Sequence, residues 1–441
     1  MKRYSEYKDS GVKWIGEIPG HWKKNKIMRL FTHIGSGTTP KGDQYYTDES
    51  NGIPWINSGD LNYGFLTKCN KYITEKALND ISTLKKYPIN TLMIAMYGAS
   101  IGKYAISHIE GCTNQACCAL YGIKDELNLT YASYLMGPCK QKWIEESFGG
   151  TQPNISAEKI KQTWLPLPPL PEQEAIVTYL DSKVAKIDEY ISIAEKKIAA
   201  LEELKQTIIA EAVTRGIHKD VPMKDSGVKW IGMIPEHWKV LCLKYLSKIK
   251  GRIGYRGYTA ADLVSEGEGA FVIGGKHINQ CILNTESPDY ISWDKYYESP
   301  EIMVSKGDIV MAQRGSLGKV ALIDKEINEA TINPSLVLIK DICCDASFLY
   351  FYLRSNSTLT LIELLNTATA VPMISQKQIE KMPIPLPPLP EQQEIVTYIE
   401  AKAAKIDQLC QAERSQIEKL KEYKQRLISD VVTGKVKVTN D

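Results

Sequence analysis

Two long stretches of the chain carry apolar residues at alternating spacings of three and four. The first places Ile176, Leu180, Val184, Ile187, Ile191, Ala194, Ile198, Leu201, Ile208 and Ala212 on one stripe. The second does the same with Ile395, Ile399, Ala403, Ile406, Cys410, Ile417, Leu420, Leu427 and Val431. This spacing predicts two long helices with coiled-coil seams sustained for about four to five heptads. Roughly 40 residues at about 1.5 Å each make a rod on the order of 60 Å long. Lys205 and Lys424 interrupt the two seams at the matching place, beside Leu204 and Tyr423. The shared interruption suggests that the rods pack as a pair; two independent amphipathic helices on separate domains is the alternative.

Each rod opens on the same run. Leu165-Pro-Leu-Pro-Pro-Leu-Pro171-Glu172-Gln173 recurs as Ile384-Pro-Leu-Pro-Pro-Leu-Pro390-Glu391-Gln392, an offset of 219 positions. Pro171 and Pro390 suit a first helical turn, where the missing N–H costs nothing, and Glu172 and Glu391 put negative charge at the helix's positive end. A second repeat precedes the rods. Residues 8–23, K-D-S-G-V-K-W-I-G-E-I-P-G-H-W-K, return at 224–239 with two differences. The order is therefore segment, rod, segment, rod. Trp14, Trp22, Trp230 and Trp238 are poor choices for a free tail, so the repeated entry is expected to dock on the frame or to plug each domain's core.

Between entry and rod, alternating and short apolar runs predict strands near 53–57, 91–97, 103–108 and 116–123, then a helix near 129–147. The second half gives strands near 270–274, 307–312, 319–323 and 335–340 and a helix near 345–365. The expected fold class is mixed α/β: two globular domains with small sheets, joined by two long antiparallel coiled-coil helices, with an internal pseudo-two-fold repeat. The expected divisions are 1–170, a helix at 171–216, 217–389, a second helix at 390–434 and a tail at 435–441. Two or more domains are also what 441 residues require.

Composition adds exclusions. No stretch approaches the length of apolar sequence that spans a membrane, and residues 1–6 lack the apolar run of a signal peptide. Ten cysteines without a C-x-x-C pair read as reduced thiols of a cytoplasmic protein. Cys117-Cys118 and Cys343-Cys344 are expected in strand cores, and no metal site is expected. Net charge is only +2, although residues 1–171 carry 20 Lys/Arg against 15 Asp/Glu. A chain that gripped nucleic acid unaided would be more basic, so partners are expected to share the phosphate contacts.

No catalytic signature survives inspection. A phosphate-binding G-x-x-x-x-G-K-[ST] loop and H-E-x-x-H are both missing, Gly251, Gly254 and Gly257 have the wrong spacing for a dinucleotide fingerprint, and Asn333-Pro334-Ser335 lacks the second proline and aromatic of an amino-methyltransferase motif. What remains is loops rich in Lys, Arg, Asn, Gln, Ser and Thr, residue types that reach base edges and phosphates. The candidates in the first half are Lys41, Asn62, Tyr97, Lys103, Gln115, Gln152 and Asn154. In the second half they are Arg252, Tyr255, Arg256, Lys276, His277, Asn279, Gln313, Arg314 and Lys319. Arg252, Arg256 and Arg314 are favoured for base readout, because an Arg fork takes guanine O6 and N7 together.

The paired G-V-K-W-I-G-x-I-P-x-H-W entries, the paired P-L-P-P-L-P-E-Q runs and the helix ends Leu204-Lys-Gln-x-Ile-Ile-x-x-x-Val213-Thr and Tyr423-Lys-Gln-x-Leu-Ile-x-x-Val-Val432-Thr carry a family resemblance over nearly the whole chain. It resembles the specificity subunit of a Type I restriction–modification system. That resemblance implies two target-recognition domains, each reading one half of a bipartite, asymmetric site in double-stranded DNA. It further implies that the helices set the spacing and dock two modification (methyltransferase) subunits, and that restriction subunits join for translocation and cleavage. S-adenosylmethionine, ATP and magnesium would belong to those partners. The competing expectations are a non-catalytic scaffold whose globular domains bind protein, and a nuclease with an unfamiliar site.

Overall fold

A computed structural model describes residues 2–145, 154–218, 220–252, 254, 257–366 and 371–438. The chain divides into two compact units, unit 1 of Met1–Ala194 with Ser415–Asp441 and unit 2 of Glu195–Arg414. Both long helices, Leu170–Arg215 and Leu389–Val432, contribute a segment to each unit.

Unit 1 holds strands β1 (Tyr7–Asp9), β2 (Glu17–Pro19), β3 (Lys23–Lys26), β4 (Phe31–Ser36), β5 (Tyr46–Thr47), β6 (Ile53–Ile56) and β7 (Phe65–Leu66). It continues with β8 (Tyr72–Ile73), β9 (Lys86–Tyr87), β10 (Thr91–Ala95), β11 (Tyr104–Ser107), β12 (Gly111–Thr113), β13 (Cys117–Ile123) and β14 (Trp164–Leu167). One sheet runs β4-β13-β10-β11-β7 and a second β5-β8-β6-β12-β9, beside the two-stranded pairs β1-β2 and β14-β3. β10 shows why its sequence is an unbroken apolar run. Leu92 and Ile94 enter the core shared with helix Leu129–Glu145, while Met93 and Ala95 face a second core with Ile56, Leu61 and Leu66. A strand covered on both faces has no polar side to show.

Unit 2 repeats the plan with β15 (Met223–Asp225), β16 (Met233–Pro235), β17 (Lys239–Cys242), β18 (Lys248–Gly251), β19 (Leu263–Val264), β20 (Gly269–Ile273) and β21 (Ile278–Asn279). Then follow β22 (Ile282–Leu283), β23 (Asp289–Ser292), β24 (Ile309–Ala312), β25 (Val320–Leu322), β26 (Ala330–Ile332), β27 (Leu336–Lys340) and β28 (Pro383–Leu386). Its two main sheets run β18-β27-β24-β25 and β19-β23-β20-β26. β24 repeats the two-sided burial of β10: Ile309 and Met311 enter one core, Val310 and Ala312 the other. The expected helix near 345–365 is broken into Ala346–Leu353 and Asn356–Leu365. Ser355 and Thr358 both turn their hydroxyls onto the Tyr352 carbonyl at 2.7 Å, satisfying it at the break. Cys117 and Cys118 are buried in β13 as expected, but Cys343 and Cys344 follow β27 in a loop, the first exposed and the second half-buried.

The two repeated motifs are halves of one clasp. The polyproline run forms β14, which pairs with β3 from Trp164–Lys26 to Leu167–Lys23; β28 pairs with β17 in the same way. The glutamate that follows is the anchor for the entry motif. Trp22 Nε1 donates to Glu172 at 3.1 Å and His21 Nε2 lies 2.9 Å from the same oxygen. Trp238 Nε1 and His237 Nε2 reach Glu391 at 3.1 and 2.7 Å. The glutamines brace the loop beneath: Gln173 Nε2 donates to Pro168 O and Gln392 Nε2 to Pro387 O, both at 2.9 Å. Trp22 and Trp238 are fully buried, while Trp14 and Trp230 pack half-buried against the same cores. The entry segment thus both docks and plugs. Each long helix is followed by a glycine with positive φ, Gly216 at +74° and Gly434 at +78°, where an added Cβ would press on Trp238 at 3.3 Å or collide with Pro19 beside Trp22.

The long helices run antiparallel within each unit. In unit 2, Lys197 reaches Glu413 at 2.6 Å and Lys205 reaches Asp407 at 2.7 Å; in unit 1, Lys424 reaches Asp188 at 2.7 Å. The two lysines that interrupt the seams therefore do the same job, laying an aliphatic stem along the seam and pairing with equivalent aspartates. Ile176, Leu180, Ile187, Ile198, Ile395, Ile399, Ile406, Ile417 and Leu427 are buried, and Ile191, Leu201 and Leu420 half-buried. The stripe is displaced at one point: Ile208 is only half-buried, and its neighbour Ile209, 1% exposed, enters the core instead. A straight helix drifts against a strict seven-residue repeat, which carries the next residue into the contact.

Candidate nucleic-acid interface

At one end of unit 1 strands β4, β6, β10 and β12 all stop and β13 begins. The register places Ala95 beside Cys117, Cys118 beside Ser36, and Thr113 parallel to Ile56. The loops that leave this edge are tied to one another. Thr38 N donates to Thr113 O at 3.0 Å, Met96 N to Ala116 O at 2.8 Å, and Ile155 N to Met96 O at 2.9 Å, while Tyr97 bridges Asn154. Side chains complete the platform: Asn114 Nδ2 donates to Asn57 Oδ1 at 3.0 Å, Trp55 Nε1 to Thr38 O at 3.2 Å, and Thr39 Oγ1 to Gln115 Oε1.

Lys41, Tyr97, Gln115 and Asn154 stand exposed on this edge, with Lys103 half-buried on the same loop as Tyr97. These five of the expected residues are brought together. Asn62 is exposed, but its amide is spent on its own turn, accepting from Gly64 N at 3.0 Å and donating to Phe65 O at 3.2 Å. Gln152 lies outside the described residues.

Unit 2 builds the same edge. β18, β20, β24 and β26 stop where β27 begins, with Gly251 beside Val337, Ala312 beside Leu336, and Ile273 parallel to Ile332. Ile374 N donates to Gln313 O at 2.9 Å, and Arg314 bridges Met373. Position for position, Arg314 and Met373 stand where unit 1 has Tyr97 and Asn154. Asn333 accepts from Ser335 N at 3.0 Å just as Asn114 accepts from Ala116 N at 3.1 Å. Asn333-Pro334-Ser335 is therefore an Asx turn that shapes the edge.

Two basic candidates in unit 2, Arg252 and His277, turn out to be structural. Arg252, favoured for base readout, is 7% exposed: Nη2 donates to Thr331 Oγ1 at 3.2 Å and the guanidinium lies 5.4 Å from the Tyr258 ring centre. Burial lowers its pKa, the sign of a cation held away from water. His277, 2% exposed, accepts from Gly274 N through Nδ1 at 2.9 Å, which leaves Nε2 to face Ser287 O at 3.4 Å. Desolvation likewise pushes its pKa down, so it is a neutral turn-holder.

Other polar groups in unit 2 are committed in part. Lys319 Nζ donates to Gly275 O at 2.8 Å, Lys276 pairs with Asp289 at 2.7 Å, and Gln313 Nε2 donates to Pro334 O at 3.0 Å. Asn279 is exposed on β21, and Tyr255 and Arg256 lie outside the described residues. Arg314 is exposed, and among the described residues its guanidinium contacts the Met373 thioether alone, at 3.6 Å. Composition could not separate these cases, because burial of an Arg or His is decided by neighbours distant in sequence. Asn57 and Asn114 were missed; Asn114 aligns with Asn333 at the offset of 219, a signal for that residue that Asn57 lacks.

Among the described residues no group of three or more His, Cys, Asp or Glu could hold a metal ion, and no helix is long and apolar enough to cross a membrane. The profile of the family described as the Type I restriction modification DNA specificity domain matches residues 19–203 and again 235–419. The chain belongs to this family. Each matched copy contains one such strand edge and the start of one long helix. The chain is 26% identical to the Type I restriction enzyme MjaIX specificity subunit of Methanocaldococcus jannaschii, covering 98% of this chain and 97% of that one. Its fold is similar to a chain solved in a study of complex assembly and conformational transition of the type I R-M system, with a TM-score of 0.67, 17% identity and coverage of 94% and 98%. It is also similar to the HsdS subunit of Thermoanaerobacter tengcongensis, with a TM-score of 0.50, 17% identity and coverage of 95% and 98%. A specificity domain present in two copies has DNA sequence recognition as its task.

Proposed function

We propose that each unit reads one half of a bipartite, asymmetric site in duplex DNA, and that the chain serves as the reading component of a Type I restriction–modification complex without supplying catalytic groups itself. The supporting observation is the contrast within the repeat. The clasp, the order of the four strands common to each main sheet and the edge-forming Asn114 and Asn333 are kept, while the exposed side chains at equivalent positions differ. Similar frames with different exposed residues suit two different half-sites.

The surfaces that do not differ suit two copies of one partner. Leu170 and Leu389, at equivalent positions, are exposed large apolar residues at the starts of the long helices. Lys183 lies over Tyr179 and Lys402 over Tyr398, at 5.7 and 5.5 Å, in the same repeated stretch. Two modification (methyltransferase) subunits are the proposed occupants. S-adenosylmethionine, ATP and magnesium are assigned to them and to the restriction subunits.

The complex of this chain with its modification subunits is expected to retard duplex DNA in a mobility-shift assay, with affinity falling steeply as salt rises, because phosphate binding releases counterions. A complex that assembles but shifts no duplex at any salt would favour the scaffold reading instead. The length of the long helices is proposed to set the number of unread base pairs between half-sites. One helical turn added within residues 185–205 is then expected to change that number in the methylated motif, and an unchanged gap would remove the helices from this role.

A further inference from the structure

We infer that Arg314 reads a guanine in the half-site taken by unit 2, a contact that unit 1 has no means to make at the equivalent position. This deepens the DNA-reading role proposed above and rests on it.

Three observations carry the inference. Arg314 sits in the loop following β24, on the edge where four strands of unit 2 end, and its backbone is pinned by the bridge to Met373 and by Gly315 N donating to Pro372 O at 2.8 Å. The side chain is therefore delivered from a fixed point. Its guanidinium is also uncommitted. The one contact it makes among the described residues is Nη2 to the Met373 thioether at 3.6 Å, and a thioether sulfur is a weak acceptor. Other candidate cations of unit 2 among the described residues are spoken for: Arg252 is buried against Thr331 and Tyr258, Lys319 holds Gly275 O and Lys276 holds Asp289.

The equivalent pair in unit 1 is Tyr97 and Asn154, both exposed. Neither offers a cationic fork. An Arg presents two parallel N–H donors to guanine O6 and N7 in the major groove, whereas Asn matches adenine N6 and N7. The geometry thus assigns chemically different bases to the same place on the two edges.

The test is selection from a pool of duplexes with random positions, using the full chain in complex with its modification subunit. Wild type is expected to enrich a two-part motif containing a guanine in the unit 2 half. In Arg314→Gln the preference at that one position should fall about tenfold or more, the scale of a lost bidentate contact, with the other half-site enriched as before. Arg314→Lys keeps the charge but replaces the rigid fork with a single ammonium that still reaches O6 and N7, so it should weaken that preference less than Arg314→Gln while overall affinity holds. An unchanged motif in both variants overturns the inference. So does a uniform loss of affinity in Arg314→Gln that Arg314→Lys restores with full guanine preference, which would make Arg314 a phosphate contact. A wild-type complex that enriches no sequence at all would withdraw the DNA-reading role itself, and this inference with it.

Discussion

Trp238→Ala is expected to cost unit 2 about 3–5 kcal/mol, the range for truncating a fully buried Trp. The indole fills the centre of a core that includes Ile209, Val213, Phe348, Ile395 and Ile399, and it packs edge-on against Phe348 at 6.4 Å. Its loss also takes one donor from Glu391, a carboxylate whose side chain is 15% exposed and which would then rely on His237. A partly buried carboxylate short of a donor is costly in its own right. Trp22→Ala should have the same effect in unit 1 through Glu172, where Tyr4 Oη also donates to the carboxylate and softens the loss. Chemical denaturation of the full chain measures the size. Amide exchange in β17 and β28, or β3 and β14, locates it. A loss under about 1 kcal/mol, or faster exchange confined to the strands of the other unit, would mean that the clasp does not hold its unit together.

The clasp explains why so much of the architecture was legible before any coordinates. Proline runs, the E-Q pair and the H-W entry are local signals, and their recurrence at offsets of 216 and 219 made the repeat plain. The strands expected near 91–97 and 307–312 are there as Thr91–Ala95 and Ile309–Ala312, because apolar runs buried on both faces are visible as such. Four strands of two or three residues were not visible: β5, β8, β12 and β26 owe their existence to partners far along the chain. The same reason limits the interface. Lys41, Tyr97, Gln115 and Asn154 stand together on the edge, but so did Arg252 and His277 by composition, and only long-range packing shows that those two face inward. Ile208 and Ile209 make the point for helices, since two adjacent isoleucines leave the choice of stripe to the packing.

Exchanging residues 27–163 for the equivalent segment of another specificity subunit is expected to replace one half of the recognised sequence and leave the other half untouched. The boundaries follow from the structure. The recognition fold leaves and returns through the β3–β14 pair, whose last matched residues are Lys26 and Trp164, so cuts there preserve the clasp. Several contacts cross the proposed joint and must be kept: the Tyr131 hydroxyl lies 3.2 Å from Pro166 O and 3.1 Å from Val432 O, Asn128 N donates to Gln173 Oε1 at 2.8 Å, and Gln173 Nε2 donates to Glu126 O at 2.9 Å, fastening the exchanged segment to the retained frame. The effect should be large. Each mismatched base pair costs about 1–3 kcal/mol, so a half-site differing at about three positions loses roughly 3–9 kcal/mol of affinity for the original sequence. That is enough to move methylation wholly to new sites. Mapping methylated adenines in cells carrying the exchanged chain and the unchanged modification subunit reads the outcome. Simultaneous change in both halves would show that the two edges do not read independently, and a motif unchanged in both would show that the loops of unit 1 do not touch bases.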